Sequence, residues 1–156
     1  MIFLRPLYAY DIDRIYEIKS NPLNYNKEFT HFDTSIVTKE VIKSWYYNFR
    51  NEINTIRLGI CLTTNNYLIG LITLGEIDYI QSTCELHINL ECNYQGQGLG
   101  KKAILLLLDY VKNIIKIKEI YLNVHKDHYK AIHLYTQLGF NTKNTINNFI
   151  YMYYKT

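Results

Sequence analysis

The stretch "NYQGQGLGKKA", residues 93–103, decides how the rest of this sequence is interpreted. It contains three glycines, Gly96, Gly98 and Gly100, at every second position, and two lysines follow them. An alternating segment typical of a β-strand precedes the stretch, and a long apolar segment of helical length follows it. A strand, a Gly-rich turn and a helix in this order form an anion site, because unpaired N–H groups converge at the helix start. The alternative is a turn that needs glycine only for its positive φ angles.

Two common phosphate-binding patterns do not fit this stretch. The Walker pattern ends in Gly-Lys-Ser/Thr, whereas Gly100 and Lys101 are followed here by Lys102. The dinucleotide pattern is G-x-G-x-x-G near the start of a βαβ unit, whereas "GQGLG" has G-x-G-x-G spacing and lies late in the chain. The stretch therefore belongs to neither class of nucleotide-binding loop.

Composition indicates an ordinary globular protein. The chain has 156 residues, 48% of them hydrophobic and 20% charged, and no repeat or proline-rich linker divides it, so we expect one domain over residues 1–156. The longest apolar run, residues 103–108, is too short to cross a membrane, and the start has no signal-peptide pattern. Cys61, Cys84 and Cys92 lack metal-ligand spacing and suit reduced thiols in the cytoplasm. We therefore predict a cytoplasmic protein with no metal site and no membrane partner.

Before the glycine stretch, hydrophobic periodicity predicts one strand, two helices and three strands. The first strand is residues 2–7, where Pro6 indicates a sheet edge or a strand end. Asp11 and Thr38 are the predicted caps of the two helices. A hairpin and a third alternating segment, residues 82–90, then complete a meander.

After the glycine stretch, the pattern returns to alternating helices and strands. A helix is predicted over residues 103–115, a strand over residues 119–124, and a second helix that ends at Gly139. The chain closes in strands, so the full order is β-α-α-β-β-β-α-β-α-β-β. We predict an α/β (α+β) fold with one mixed, mostly antiparallel sheet flanked by helices.

Two motifs together resemble the GNAT superfamily of acetyl-CoA-dependent N-acetyltransferases. "YQGQGLGKKA" resembles that family's Gln/Arg-x-x-Gly-x-Gly/Ala loop, and "KAIHLYTQLGF" resembles its Ala-x-x-Leu-Tyr-x-x-x-Gly-Phe helix end. The matching residues are Gln95, Gly98 and Gly100 in the first motif, and Ala131, Leu134, Tyr135, Gly139 and Phe140 in the second. The start "FLRPLYAYDIDRIYEI" is similar to the branch that contains spermidine and ribosomal-protein N-terminal acetyltransferases. The resemblance spans nearly the whole chain and is loose over residues 23–54.

The resemblance implies that acetyl-CoA is the cofactor. The loop implied to hold its pyrophosphate consists of Gln95, Gly96, Gln97, Gly98, Leu99, Gly100 and Lys101. The strand end that is implied to offer main-chain groups to the pantetheine amides consists of Ile88, Asn89 and Leu90. Where family members commonly carry Asn three residues before the helix alanine, Ala131, this chain has His128, which can still donate a hydrogen bond.

The resemblance also implies transfer of an acetyl group from a thioester to an amine. An amine with a pKa of about 10.4 must lose a proton before it attacks, and a thiolate leaves more readily when it is protonated. The resemblance makes Tyr135 the proton donor to the thiolate; the alternative is that Tyr135 is one of sixteen tyrosines and only packs on an apolar helix face.

The polar row of the third meander strand carries the candidate bases. Glu85, His87 and Asn89 share one face of that strand, since side chains alternate. Glu85 is the preferred base, acting directly or through water, and His87 is a second candidate. Glu76 matches an acidic position of polyamine-binding relatives and is expected to orient a cationic substrate. The alternative for this row is a solvated edge of the sheet.

The sequence leaves the acceptor open. Asp33, Glu40 and Glu76 favour a polycation such as a polyamine, but "EFTHFDTS", residues 28–35, lacks a dense acidic cluster, and a nucleotide-linked amino sugar is a second small-molecule candidate. A protein N-terminal acetyltransferase and a non-catalytic acyl-CoA-binding module are the alternatives. The net charge of +3 and lysines spread over an amphipathic helix argue against a nucleic-acid partner, and a homo-oligomer is compatible with these expectations.

Overall fold

The computed structural model describes residues 1–30 and 32–156, so His31 of the acidic-poor stretch lies outside it. The strands are β1 (Ile2–Pro6), β2 (Ile56–Leu62), β3 (Leu68–Asp78), β4 (Thr83–Leu90), β5 (Glu119–His125), β6 (Asn141–Ile146) and β7 (Phe149–Lys155). The helices are α1 (Ile12–Ser20), α2 (Lys39–Phe49), α3 (Leu99–Tyr110) and α4 (Tyr129–Gln137). Their order along the chain confirms the predicted order of elements.

All strands belong to one sheet with the order β1-β2-β3-β4-β5-β7-β6. Every neighbouring pair is antiparallel except β4 and β5, which are parallel. That parallel pairing joins only residues 83–85 to residues 119–121, although both strands continue beyond it. The sheet is therefore open between β4 and β5 at the end nearest the glycine loop.

The helices cover opposite faces of the sheet and form two cores. Ile15 and Ile18 of α1 pack with Ile42 and Tyr46 of α2 on one face. On the other face, the buried residues of α3 pack against Leu86 and Leu90 of β4, and α4 packs against this same core. Because side chains alternate along β4, its polar row lies on the face of α1 and α2. Among the described residues, no helix is long and apolar enough to cross a membrane.

The predicted cap of α2 is confirmed, but the predicted cap of α1 is wrong in its contacts. The hydroxyl of Thr38 accepts the Val41 N–H at 3.1 Å. The Asp11 carboxylate makes no bond to α1; it accepts the Tyr8 N–H at 2.8 Å and two bonds from Arg5 at 2.7 and 2.9 Å. A buried guanidinium competes successfully for the carboxylate, because a charge-assisted bidentate pair is stronger than a bond to a helix N–H.

The predicted start of α3, residue 103, is wrong, whereas the helical segment ends at residue 115 as predicted. The helix starts at Leu99, because Gly98 has φ 77° and turns the chain directly into the first helical turn. It ends at Tyr110 and continues into a wider π-type turn, Val111–Ile115, that Lys116 closes at φ 60°. Gly100 therefore lies inside the helix rather than in the loop.

The buried pair of Arg5 and Asp11 gives a test of this fold. Their side chains are only 9% and 4% exposed, so Asp11→Ala leaves a buried guanidinium unpaired, and we expect the free energy of unfolding to fall by about 3–5 kcal/mol. Urea denaturation measures this loss. The control is Asp13→Ala, because the Asp13 side chain is 76% exposed and pairs with Lys39 at the surface; its loss should stay below about 1 kcal/mol. Equal losses for the two variants would contradict the assignment.

Candidate active site

The glycine loop leads into α3 with open space around it. Gly96 and Gly98 have φ angles of 72° and 77°, and a Cβ at either position would meet no atom within 4 Å. The first hydrogen bond of α3 runs from the Lys102 N–H to the Gly98 carbonyl at 3.2 Å. The N–H groups of the preceding residues, 99–101, have no partner within the helix and carry the positive end of its dipole. With Lys101 and Lys102 exposed beside them, the loop has the features of an anion site.

The two glutamines of the loop brace it internally. The Gln95 side-chain amide donates to the Leu90 carbonyl at 2.7 Å, and that of Gln97 donates to the Asn93 carbonyl at 2.7 Å. Gln95 therefore fastens the loop to the end of β4. Both residues had been predicted only as cofactor contacts, and their bracing bonds depend on a turn that the sequence pattern does not specify.

Fewer main-chain groups are free at the edge of β4 than the sequence predicted. The Glu91 N–H donates to the Ile69 carbonyl at 2.9 Å, and hydrogen-bonded and non-bonded pairs alternate along an antiparallel ladder. The main-chain groups of Asn89, opposite Leu71, therefore pair with β3, whereas those of Ile88 and Leu90 point to the opening. The prediction that Asn89 contacts a ligand stays a prediction, and in this register its main-chain groups face β3. The Leu90 carbonyl is already engaged by the loop.

The polar row predicted on β4 forms a connected group. The Glu85 carboxylate lies 3.2 Å from Nε2 of His87 through one oxygen and accepts the Asn123 side-chain amide at 3.2 Å through the other. The side chain of Glu85 is 19% exposed and that of His87 is 60% exposed. A carboxylate held in this way can take a proton and pass it to an exposed imidazole. Asn123 was not predicted, because its role depends on the register of β4 and β5.

Glu76 lies close to this group, but its backbone conformation is unusual. It is exposed and has φ 47°, at the point where the pairing of β3 with β4 shifts register. The pKa of Tyr121 is raised, first by burial and then by the charges of Glu85 and Glu76, so both carboxylates act on the same region. A non-glycine residue at positive φ costs free energy, and such positions are concentrated at functional sites.

The connection between α1 and α2 spans the open end of the sheet. The buried Asn24 accepts the Cys92 N–H at 2.7 Å, just beyond the end of β4. Five residues later, the Phe29 ring stacks on His128 with 4.5 Å between ring centroids and lies 5.2 Å from the His125 ring. The connection therefore touches both strands that border the opening. Sequence reasoning missed Asn24 and Phe29, which lie in the region where the family resemblance is loose.

His128, the unusual residue at the expected pantetheine contact, precedes α4 and faces this connection. Burial lowers its pKa, and the neighbouring charges of His125 and Lys130 lower it further. The imidazole is therefore neutral at neutral pH and keeps one N–H to donate. Ala131, its partner in the prediction, is partly buried against the α3 core.

Tyr135 approaches the sheet from the face opposite Glu85. It packs against the core on the α3 side, with its ring edge-on to Phe140 at 5.8 Å. Burial raises the pKa of its hydroxyl, which is therefore protonated at neutral pH, as a proton donor must be. The candidate acid and base thus lie on opposite faces of the sheet.

A sheet that opens between two parallel strands, beside a glycine loop at a helix start, defines the class of acyltransferases to which the sequence motifs point. Residues 2–141 match the family model described as an acetyltransferase (GNAT) domain, and the chain belongs to this family. The resemblance seen in the sequence is thereby confirmed. Within the described residues, no group of three or more His, Cys, Asp or Glu side chains is arranged to hold a metal ion.

Curated relatives are polyamine acetyltransferases. The spermidine N(1)-acetyltransferase of Escherichia coli K12 is 36% identical over 77 residues, which are 49% of this chain and 41% of that protein. The spermidine N(1)-acetyltransferase of Vibrio cholerae is 36% identical over 94 residues, 60% of this chain and 54% of that protein. The chain thus aligns with about half of the length of these relatives.

Solved structures agree with the fold over nearly the whole chain. The spermidine N-acetyltransferase from Vibrio cholerae in complex with CoA and spermine has a TM-score of 0.82 at 25% identity and covers 99% of this chain and 95% of that one. A dodecameric structure of the Vibrio cholerae enzyme has a TM-score of 0.81 at 27% identity and covers 99% of this chain and 93% of that one.

The conformation of Gly98 gives a test of the anion site. Gly98→Val puts a branched side chain at φ 77°, where strain of about 1–3 kcal/mol forces the loop out of shape, so we expect the dissociation constant for coenzyme A to rise at least about tenfold. Titration calorimetry measures it. Lys116→Val is the control, since Lys116 is exposed, has φ 60° and lies at the opposite end of α3 from the loop. Unchanged affinity in Gly98→Val would exclude this loop as the coenzyme A site.

Proposed function

We propose that this chain is an acetyl-CoA-dependent N-acetyltransferase that acts on a primary amine of a small molecule. The observation that carries the proposal is the free edge of β4 beside the glycine loop, with Glu85 on one face of the opening and Tyr135 on the other. Polyamines and nucleotide-linked amino sugars are the acceptors to compare first. The names of the relatives and the neighbouring complex with CoA and spermine support the polyamine.

Coenzyme A is bound in this proposal by main-chain groups more than by side chains. Residues 95–101 take its pyrophosphate at the start of α3, where N–H groups and the helix dipole favour negative charge. The Ile88 carbonyl and the Leu90 N–H pair with the pantetheine amides, as an added strand would. His128 donates to the same arm, and Ala131 leaves room for it.

The acceptor amine loses its proton to the polar row. Glu85 accepts this proton, directly or through one water, and His87 passes it to solvent. Asn123 holds the carboxylate in position, since it occupies the oxygen that His87 leaves free. Glu76 adds negative charge that attracts a cationic amine. Deprotonation is required because an alkyl amine with a pKa of about 10.4 is protonated at neutral pH.

The transfer itself needs little beyond alignment and one proton donor. Acetyl-CoA supplies an activated thioester when bound. The Ile88 N–H polarises the carbonyl oxygen as the amine nitrogen forms its bond to the carbonyl carbon. Tyr135 donates its hydroxyl proton to the sulfur as the carbon–sulfur bond breaks. The nitrogen loses its remaining extra proton as the amide forms, and a proton from solvent restores Tyr135. The products are an N-acetylated amine and free coenzyme A.

Other features bear on the two alternative functions. A protein N-terminal acetyltransferase needs an open groove. The contacts of Asn24 and Phe29 instead hold residues 24–29 beside the opening, which favours a small acceptor. A module that only binds acyl-CoA has no need of both Tyr135 and Glu85. The finer expectations, a cytoplasmic location and a homo-oligomer, are supported by the three free thiols and by the dodecamer of the Vibrio cholerae enzyme.

Replacement of Tyr135 tests the general acid. We expect Tyr135→Phe to lower kcat by about 10²–10⁴-fold, the usual contribution of a positioned acid, with unchanged affinity for coenzyme A. Thiol release from acetyl-CoA gives the rate and calorimetry gives the affinity. Tyr129→Phe is the control because Tyr129 lies on the same helix and is 73% exposed. Equal turnover for Tyr135→Phe and the parent would remove Tyr135 from the mechanism.

Replacement of Glu85 tests the base. We expect Glu85→Gln to lower kcat/KM by about 10²–10⁴-fold and to abolish the rise of kcat/KM with pH that a titrating base produces. The measurement is a pH profile of kcat/KM for the parent and the variant. Asp109→Asn, an exposed carboxylate on α3, should leave the profile unchanged. A parental profile in Glu85→Gln would shift the role to His87.

A further inference from the structure

A second set of polar side chains lies on the same face of the sheet as the candidate base. Arg57 of β2 is directly opposite Thr73 of β3, and Thr73 is directly opposite His87 of β4. The three residues therefore form one row across the sheet. Since neighbouring strands are about 4.8 Å apart, the Cα atoms of Arg57 and His87 are about 10 Å apart.

Two cations meet beside the indole of Trp45. The Lys19 ammonium lies 5.1 Å from the centre of that ring system, and the Arg57 guanidinium carbon lies 5.3 Å from it. Burial lowers the pKa of Lys19, and the charge of Arg57 lowers it further. The charge of Arg57, although paired with Glu52, still disfavours the charged form of Lys19, so an anion near Lys19 relieves an existing cost.

Some hydrogen-bond donors of Lys19 and Arg57 have no acceptor. Arg57 donates to Glu52 at 2.9 Å through one terminal nitrogen, but its Nε is buried and has no partner among the described residues. Lys19 forms no ion pair within residues 1–30 and 32–156. The Arg57 Nε is enclosed by protein atoms, so the donors that an anion can reach are the Lys19 ammonium and the second terminal nitrogen of Arg57, neither of which has a partner among the described residues.

The floor between the cations and the base is made of small residues. Thr73 and Gly75 lie on β3 between Arg57 and the polar row, and Gly75 is directly opposite Glu85. A Cβ at Gly75 would have the His87 ring as its nearest neighbour, at 3.9 Å. Because Thr73 and Gly75 are small, they leave room on this face of β3 for a molecule to extend from Glu85 towards Arg57.

We infer that Lys19 and Arg57 bind an anionic group, phosphate or carboxylate, on the far end of the same acceptor whose primary amine reaches Glu85. The inference rests on the proposed function and narrows its acceptor to a molecule with an amine at one end and an anion about 10 Å or less away. A polyamine, which carries only positive charge, is repelled by this pair. An amino sugar that carries phosphate meets both ends of the cleft.

Matched acceptors test the inference through rates. Glucosamine and glucosamine phosphate differ only in the phosphate, n-butylamine and γ-aminobutyrate differ only by a methyl group in place of the carboxylate, and spermidine represents the polyamines. We expect the anionic member of a pair to have a kcat/KM higher by about 10–100-fold, the effect of one hydrogen bond between charged groups. The two pairs distinguish phosphate from carboxylate. Thiol release from acetyl-CoA is the measured rate.

Variants of the two cations test whether the preference arises at this place. Lys19→Met and Arg57→Gln should each remove the preference and leave the rate with the acceptor that lacks the anionic group within about twofold of the parent's. Arg57→Lys should retain part of it, since the charge remains. Lys43→Met, which removes an exposed lysine of α2, is the matched control. Thermal unfolding establishes that each variant is folded.

A binding measurement separates this inference from the proposed function. Trp45 is the one tryptophan of the chain, so its fluorescence reports on the cation pair directly. With the glycine loop saturated by coenzyme A, glucosamine phosphate should give a saturable change that Arg57→Gln and Lys19→Met abolish.

The rate and fluorescence measurements together distinguish failure of the transferase function from failure of the anion site. Saturable binding without any thiol release would overturn the transferase and support the anion site. Thiol release with spermidine or uncharged amines, together with no fluorescence change and no anionic preference, would overturn the anion site and leave the transferase in place.

Discussion

The parting of β4 from β5 after three paired residues is the constraint on which the rest of the site depends. A strand edge inside a sheet presents N–H and C=O groups that need partners. On β4 these groups belong to Ile88 and Leu90, because the alternation of the ladder directs the backbone of Asn89 to β3. The protein satisfies one of them itself, through Gln95, and the rest form a template for an extended ligand.

The surrounding contacts keep the two strands apart at a set distance. Gln95 ties the glycine loop to the end of β4, so the helix start cannot drift from the open edge. Asn24 and Phe29 reach from the α1–α2 connection to either side of the opening. Because the contacts of Asn24 and Phe29 join segments distant in the chain, the opening is a product of tertiary packing as well as of the local Gln95 bond. A ligand in it therefore meets main-chain groups that are already aligned, which limits the entropy lost on binding.

Local sequence signals predicted the elements well and their contacts poorly. The alternation of β4 and the helical spacing before Gly139 depend on neighbours in the chain, and both predictions agree with the structure. The start of α3 was misjudged because a glycine at positive φ either extends a loop or caps a helix, and residue type does not distinguish them. Asn123 escaped notice for a different reason, since its bond to Glu85 exists only in the register of two strands far apart in sequence.

In the proposed function, the charges on either side of the region between Glu85 and Arg57 orient the bound acceptor. Carboxylates at Glu85 and Glu76 stand at one end, and the cations of Lys19 and Arg57 stand at the other, with small residues between them. The stretch "EFTHFDTS" had already departed from the dense acidic cluster that a polycation requires. A molecule with one positive and one negative end is aligned by such a field before it makes close contacts, because opposite charges at both ends favour one orientation and oppose its reverse. In the proposed function, the same field presents the amine, rather than another group of the acceptor, to Glu85, the proposed base.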